Sequence, residues 1–224
     1  MTWDSIDLTM WLFAILLEGA VLGTVIWRRI YLTLPVFSSF LVWCLVSDAG
    51  MAAMHRIPHA YLPATIVNIT VDALFQLAIL NELGKTVVRH NRVEPPSRVV
   101  LFLFASLAAA LTLLLNRWRI PEGWPLLNII YMVLLQFLAA LRFVVLLTLV
   151  WWSSLLKLQW QTRELRIITG LGIYILVPFL VVILHTHNMT SSNYHWLDQV
   201  LVASYLGALC LWMLASTTKV AEQA

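Results

Sequence analysis

Residues 125–152 read PLLNIIYMVLLQFLAALRFVVLLTLVWW, and Arg142 is the only charged side chain among them. A helix rises about 1.5 Å per residue, so about 20 apolar residues cross a hydrocarbon layer about 30 Å thick. This stretch is longer than that, and it lacks the strict alternation of a membrane β-barrel strand. An open strand would leave backbone N–H and C=O groups unpaired in lipid, whereas a helix pairs them internally. Residues 125–152 are therefore read as a transmembrane helix.

The same pattern recurs along the chain, in the segments 8–27, 31–53, 61–83, 99–116, 166–185 and 196–216. Of the 224 residues 61% are hydrophobic and 11% charged, with a mean hydropathy of +0.86. A soluble domain carries about 25% charged residues, so the solvent this chain suits is lipid. The length accommodates about seven crossings with short connections and no second domain. The expectation is an all-α, polytopic transmembrane bundle with residues 1–224 as one domain. No repeat of fixed period is visible.

Basic residues flanking spans favour the cytoplasmic side. With the N-terminus outside, the inner connections hold Arg28, Arg29, Lys85, Arg89, Arg92, Arg98, Lys157, Arg163, Arg166 and Lys219, and the outer ones only Arg56, Arg117 and Arg119. An odd number of spans then leaves the C-terminus cytoplasmic. Trp27, Trp151, Trp152 and Trp160 would mark the inner headgroup level, and Trp3, Trp118, Trp124 and Trp196 the outer one. The acidic start at Asp4 and Asp7, with Arg28 and Arg29 after the first apolar run, describes a retained helix rather than a signal peptide. The net charge of +3 is read as anchoring beside the bilayer, with lipid and not nucleic acid as the partner.

Pairs of small residues four apart, Gly19 and Gly23, Ala105 and Ala109, Ala203 and Gly207, are packing signals for helices in lipid. Ionisable groups inside spans are costly unless paired or hydrated, and each is a candidate for function. Glu18 falls near the middle of the first segment and Asp72 near the middle of the third, while Arg142 lies in the inner half of the fifth. Asn68 and Gln76 each lie four residues from Asp72 and share its helical face. Asn128, Tyr131 and Arg142 likewise fall on one face of the fifth segment. An arginine side chain leans towards its helix N-terminus, which brings Arg142 towards the level of the two carboxylates. Arg142 is expected to pair with Asp72, Glu18 or both. Such a pair either fixes helix register alone or forms a ligand-binding or proton-handling site. Two acids against one guanidinium leave an excess negative charge for a proton or a cation.

A second constellation gathers at the expected outer surface: His55, His59, His185, His187 and His195, with Asp48 and Asp198 nearby in sequence. Imidazoles titrate near neutral pH and bind zinc or copper, so the group is a candidate pH sensor or metal site. Pro58 separates His55 from His59, and the spacing matches no metal motif, so the reading taken is interfacial histidines with no cofactor. Cys44 and Cys210 sit inside apolar segments and are read as buried hydrophobes. The last segment has no lysine to form a retinal Schiff base. No nucleophile elbow, phosphate loop or zinc-protease motif is present either.

The stretch Arg28-Arg29-x-Tyr31-x-x-x-Pro35-x-Phe37-x-x-Phe40, followed by a third segment ending Asn81-Glu82-Leu83, resembles small, uncharacterised seven-helix bacterial membrane proteins. The likeness covers about the first half of the chain and implies a bacterial inner membrane location with no activity attached. The three-one-three arrangement also looks like the sugar-transporting seven-helix family built from parallel three-helix repeats, with Pro35 and Pro178 in loosely matching places. The chain departs from that pattern in having no proline in its first segment and no Pro-Gln dipeptide. The expected function is a receptor-like or accessory sensor protein with an intramembrane polar site. It would act through a cytoplasmic or membrane protein partner at Arg89, His90, Arg92, Arg163 and Arg166. A small-solute or ion transporter is the alternative, and an intramembrane enzyme the third reading. Elemental analysis of the purified protein is expected to find no stoichiometric zinc or copper; a stoichiometric metal would assign the histidines as ligands instead.

Overall fold

A computed structural model describes residues 5–54, 58–91, 106–107, 110, 125–155, 160, 162–187 and 194–218. The segment expected at 99–116 lies largely outside the described residues. The elements described are all helical: α1 (Ser5–Trp27), α2 (Pro35–Met54), α3 (Pro58–Asn91), α4 (Leu126–Leu155), α5 (Thr162–His187) and α6 (Tyr194–Thr217). Among the described residues six helices are long and apolar enough to cross a membrane, which makes the chain a multi-pass membrane protein. α4, α5 and α6 correspond to the fifth, sixth and seventh apolar segments.

Helix boundaries follow local chemistry. α1 stops at Trp27 and turns through Arg29, which takes a left-handed φ of 55°, into a short 3-10 turn at Ile30–Leu32. Pro35 then opens α2, at the position where its missing N–H is no loss. The second span thus begins later than the expected residue 31, and Pro35 is a helix start rather than a hinge within the span. Among the described residues the prolines inside spans are Pro178 in α5 and Pro63, near the start of α3. α3 runs on past residue 83 to Asn91, and Lys85, exposed on this extension, has a stem long enough to follow the helix to the headgroup level.

The first amides of α2 are satisfied in trans. Val36 N and Phe37 N donate to Glu82 Oε1 and Oε2 at 3.0 and 3.1 Å. One carboxylate therefore caps a helix whose N-terminal N–H groups have no internal partner, and it ties the start of α2 to the end of α3.

Helix directions follow from which residues meet. Glu18 and Thr24 of α1 meet Tyr205 and Ser216 of α6, so α1 and α6 run parallel. Phe37 and Phe40 of α2 lie by Glu82 and Phe75 of α3, an antiparallel pair. Asp72 and Gly84 of α3 meet Arg142 and Leu149 of α4, which run parallel. Phe143 and Leu146 of α4 meet Phe179 and Gly172 of α5 in antiparallel order, as do Tyr174 and Gly170 of α5 with Tyr205 and Trp212 of α6. Each helix packs on its neighbours in sequence, and α6 closes back on α1. The result is two triads, α1–α2–α3 and α4–α5–α6, with the same up-down-up sense, joined along two seams: α3 with α4, and α6 with α1.

The core lies towards the end of the bundle that holds Trp27 and Glu82. It contains Val25, Phe37, Phe40, Leu83, Leu171 and Trp212, all under 2% exposed. Trp212 reaches across to α5, where its indole N–H donates to Ile167 O at 3.2 Å. Gly170 makes this possible, because a Cβ there would come within 2.6 Å of Trp212 Nε1. The expected small-residue contacts differ from this. Atoms added at Gly19, Gly23 and Gly207 would meet nothing within 4 Å, and the close approach occurs at Gly170 instead. Ala203 is exposed, and the Ala105 and Ala109 pair is outside the described residues.

Gly170→Ala is expected to force the indole away and to destabilise the detergent-solubilised protein by about 1–3 kcal/mol, read as a lowered Tm. Glu82→Ala should cost about 1–2 kcal/mol through the lost cap, with Glu82→Gln recovering part of it. A Tm unchanged in Glu82→Ala would remove the capping role.

Candidate functional site

Polar side chains from all six helices converge near the middle of the bundle, at two places. At the α3–α4 seam, Arg142 Nη1 lies 3.4 Å from Asp72 Oδ2 and donates to Gln76 Oε1 at 3.1 Å. Gln76 Nε2 closes the ring by donating to Asp72 Oδ2 at 2.6 Å. Arg142 Nε is occupied by Leu138 O of its own helix at 3.1 Å, which holds the side chain back along α4. Asp72 and Gln76 meet the guanidinium together because a spacing of four puts them on one face of α3. Gln76 is fully buried and Arg142 is 8% exposed, while the Asp72 side chain keeps 18% exposure.

At the α6–α1 seam, the Tyr205 hydroxyl donates to Glu18 Oε1. Glu18 is fully buried, and its Oε2 has no hydrogen-bond partner. Thr24 and Ser216 exchange a hydroxyl contact of 2.8 Å about two turns along the same seam. Glu18 is thus held by a tyrosine, and the partner of Arg142 is Asp72.

Between the seams stand α2 and α5. Asp48 of α2 lies near enough for its charge to act on both Glu18 and Asp72. Cys44, one turn away, faces the Tyr205 hydroxyl, and Tyr174 of α5 turns its hydroxyl towards Asp72. The rings of Tyr174 and Tyr205 are 5.0 Å apart, and Phe40, Phe75 and Trp43 continue the aromatic wall across α2 and α3. Three carboxyl groups therefore share this layer with one guanidinium, a balance that leaves room for a proton or a cation.

Other expected site residues lie elsewhere. Asn128 and Tyr131 precede Arg142 along α4 by roughly 21 and 16 Å of helix rise, well away from its level. Asn68 lies one turn before Asp72, with its Oδ1 buried and without a partner. Asp48, grouped by sequence with the histidines, belongs to the interior layer instead. His59 is exposed at the start of α3. His55 is outside the described residues, and the side chains of His185, His187, His195 and Asp198 are as well. No group of three His, Cys, Asp or Glu among the described residues is placed to hold a metal ion.

Tyr174, Tyr205 and Cys44 were not singled out by the sequence, although spacing offered a signal. Phe37, Phe40, Cys44 and Asp48 follow the three-and-four pattern of one face, and Tyr205 and Trp212 are seven apart.

Removing one partner of a buried ion pair strands the other. Arg142→Ala is expected to destabilise the protein by roughly 3–5 kcal/mol, and Arg142→Met with Asp72→Asn by clearly less than the sum of the two single changes. Thermal unfolding in detergent of the four members of this cycle measures the coupling, and additive effects would remove the pair. Comparison of the chain with protein-family models, with curated proteins and with solved structures gives no match to any of them, so its function is argued from this layer of side chains.

Proposed function

We propose that the protein is a receptor-like protein of a bacterial inner membrane. It takes a small ligand from the outer side into the polar layer and passes the change to a protein partner at its cytoplasmic face. Seven spans are part of this reading. α3 and α4 are successive described helices that run parallel, so the chain between Asn91 and Pro125 has to return from one end of the bundle to the other. A span over 99–116 meets that need in lipid. The N-terminus is placed outside because Arg28, Arg29, Lys85, Arg163 and Arg166 all fall at one end, and basic residues favour the cytoplasm.

The observation that carries the reading is the uneven packing about the polar layer. Towards the basic end, every described helix contributes buried side chains to one core, α4 through Leu146 alone. Towards the other end, no described residue is buried on α2 beyond Cys44, on α3 before Ala73, on α4 before Gln136 or on α6 before Ala208, and the buried residues are fewer: Ala14 on α1, and Phe179 and Val181 on α5, with Phe179 in a small cluster with Ala139 and Ala140. A site closed on the cytoplasmic side and loosely covered on the outer side suits a ligand that binds and leaves by the same route. The aromatic chain from Tyr205 through Tyr174 to Trp212 and Phe37 connects that site to the packed half.

Transport is the second reading, and the repeated triads favour it. Two like units joined at polar seams are able to rock about the layer and open it to either side in turn.

Membrane-impermeant thiol labelling separates the two. In a background with Cys44→Ala and Cys210→Ala, Asn68→Cys is expected to react with reagent added outside intact cells, and Ala208→Cys to resist reagent from either side. Reaction of Ala208→Cys from the cytoplasmic side, modulated by solutes, would replace the receptor reading with transport.

A further inference from the structure

We propose that the ligand of the polar layer is a small organic ammonium ion, held by Glu18 and Asp48 against the aromatic wall of Tyr174 and Tyr205. The ligand class rests on the receptor reading only for the side from which the ion arrives.

The charge balance comes first. Asp48 is near enough for its charge to act on both Glu18 and Asp72, and the guanidinium of Arg142 is already committed to Asp72. Arg142 gives its hydrogen bonds to Asp72, Gln76 and Leu138 O. Nothing on it is directed to Glu18 or Asp48.

Hydrogen-bonding capacity comes second. Glu18 is fully buried and its Oε2 has no partner, although the neighbouring Oε1 receives the only proton Tyr205 has to give. A buried polar atom without a partner costs about 1–3 kcal/mol, so a site that leaves a carboxylate oxygen bare is short of a donor. Asn68 Oδ1, on the outer side of Asp72, is a second buried acceptor with no partner. Both are acceptors with no donor among the described residues.

The walls come third. Tyr205, which holds Glu18, begins a connected series of rings through Tyr174, Phe40, Phe75 and Trp43. An aromatic face attracts a cation by its quadrupole, and more strongly where water is excluded.

Other ligands fit less well. An anion would enter a layer with an excess of carboxylates. A neutral molecule would leave the acids uncompensated. A divalent metal needs several oxygen ligands at short range, and no group of three acidic, histidine or cysteine side chains among the described residues is placed to supply them. A diffuse organic cation needs only the charge, a donor and the rings.

The test uses the full chain in lipid nanodiscs, titrated with methylammonium, tetramethylammonium and choline up to about 10 mM, a range that detects binding of millimolar affinity. Sodium chloride at equal ionic strength and 3,3-dimethylbutan-1-ol, the neutral carbon counterpart of choline, serve as controls. At least one ammonium ion is expected to raise Tm saturably while the neutral counterpart does not. Glu18→Gln should weaken that binding on the order of 30-fold, the effect of removing one partner of a buried charge pair. Asp48→Asn is the second variant where Glu18→Gln fails to fold. Equal stabilisation by the alcohol, no saturable effect from any ammonium ion, or binding unchanged in the substituted protein would each overturn the assignment. Outer labelling of Asn68→Cys in the same preparations keeps the two claims apart. Labelling without ammonium binding rejects the ligand class alone, and ammonium binding without outer labelling rejects the outer route alone.

Discussion

A charged group in hydrocarbon must be paired, hydrated or moved out, and the organisation of this bundle follows from how Arg142 meets that demand. Its guanidinium is too deep in the run 125–152 to reach either end of α4 by stretching alone. Asp72 and Gln76 satisfy it across the α3–α4 seam, and Leu138 O holds it from behind. Those contacts fix the rotation of α4, since turning it would take the guanidinium away from Asp72 and Gln76. They fix α3 as well, because Asp72 and Gln76 share one face. Apolar packing between helices in lipid has little sense of direction, and it is the polar contacts that choose one register.

The same logic operates at the opposite seam with different chemistry. Glu18 and Tyr205 stand at the α6–α1 contact as Asp72 and Arg142 stand at the α3–α4 contact. In each case a buried acid is held by a donor from the other triad. Within each triad close apolar packing, as where Gly170 admits Trp212 or Leu146 packs near Gly172, is joined by polar contacts to backbone, such as Trp212 N–H to Ile167 O. The two seams are where acids in the middle of the bundle meet their side-chain donors, and where a charge entering or leaving the layer would be felt most. Glu82 adds a further constraint, because capping α2 from α3 ties those two helices together at the basic end.

Much of this was legible in the sequence, and what was not has identifiable causes. The helical, membrane-spanning character is written in the apolar runs, because lipid leaves few alternatives for a backbone. The convergence of Asn68, Asp72 and Gln76 on one face is written in their spacing. Which acid meets Arg142 was not, since partner choice depends on helix order and tilt rather than on depth. The tyrosines were missed because a tyrosine in a span is usually an interfacial or packing residue, and only proximity to Glu18 and Asp72 gives it another role. Asp48 was grouped with the histidines by its nearness in sequence to His55, and its nearness to Glu18 and Asp72 depends on how α2 packs, which spacing along one helix does not show. The spacing of Gly19 and Gly23 misled in the opposite sense: it permits a close approach that no described helix makes, while Gly170, without a spaced partner, makes one.

The acid excess and the uneven packing depend on each other. Carboxylates beyond the reach of Arg142 can remain in the middle of a bundle only if water, protons or a ligand reach them, because the desolvation of an unpaired ion is worth several kcal/mol. A core packed tightly on both sides of the layer would deny that access. The fully packed half ends at Cys44, Ala73 and Ala208, close to the level of the acids, and the other half leaves the interior faces of α2, α3 and α6 partly exposed. On the proposed reading, binding a cation there would remove the excess charge and favour closer packing of the loose half. Ligand occupancy and helix packing would then be a single equilibrium, and the rigid half, held by Trp212 and by Glu82 on the α2 start, would carry its displacement to the basic face.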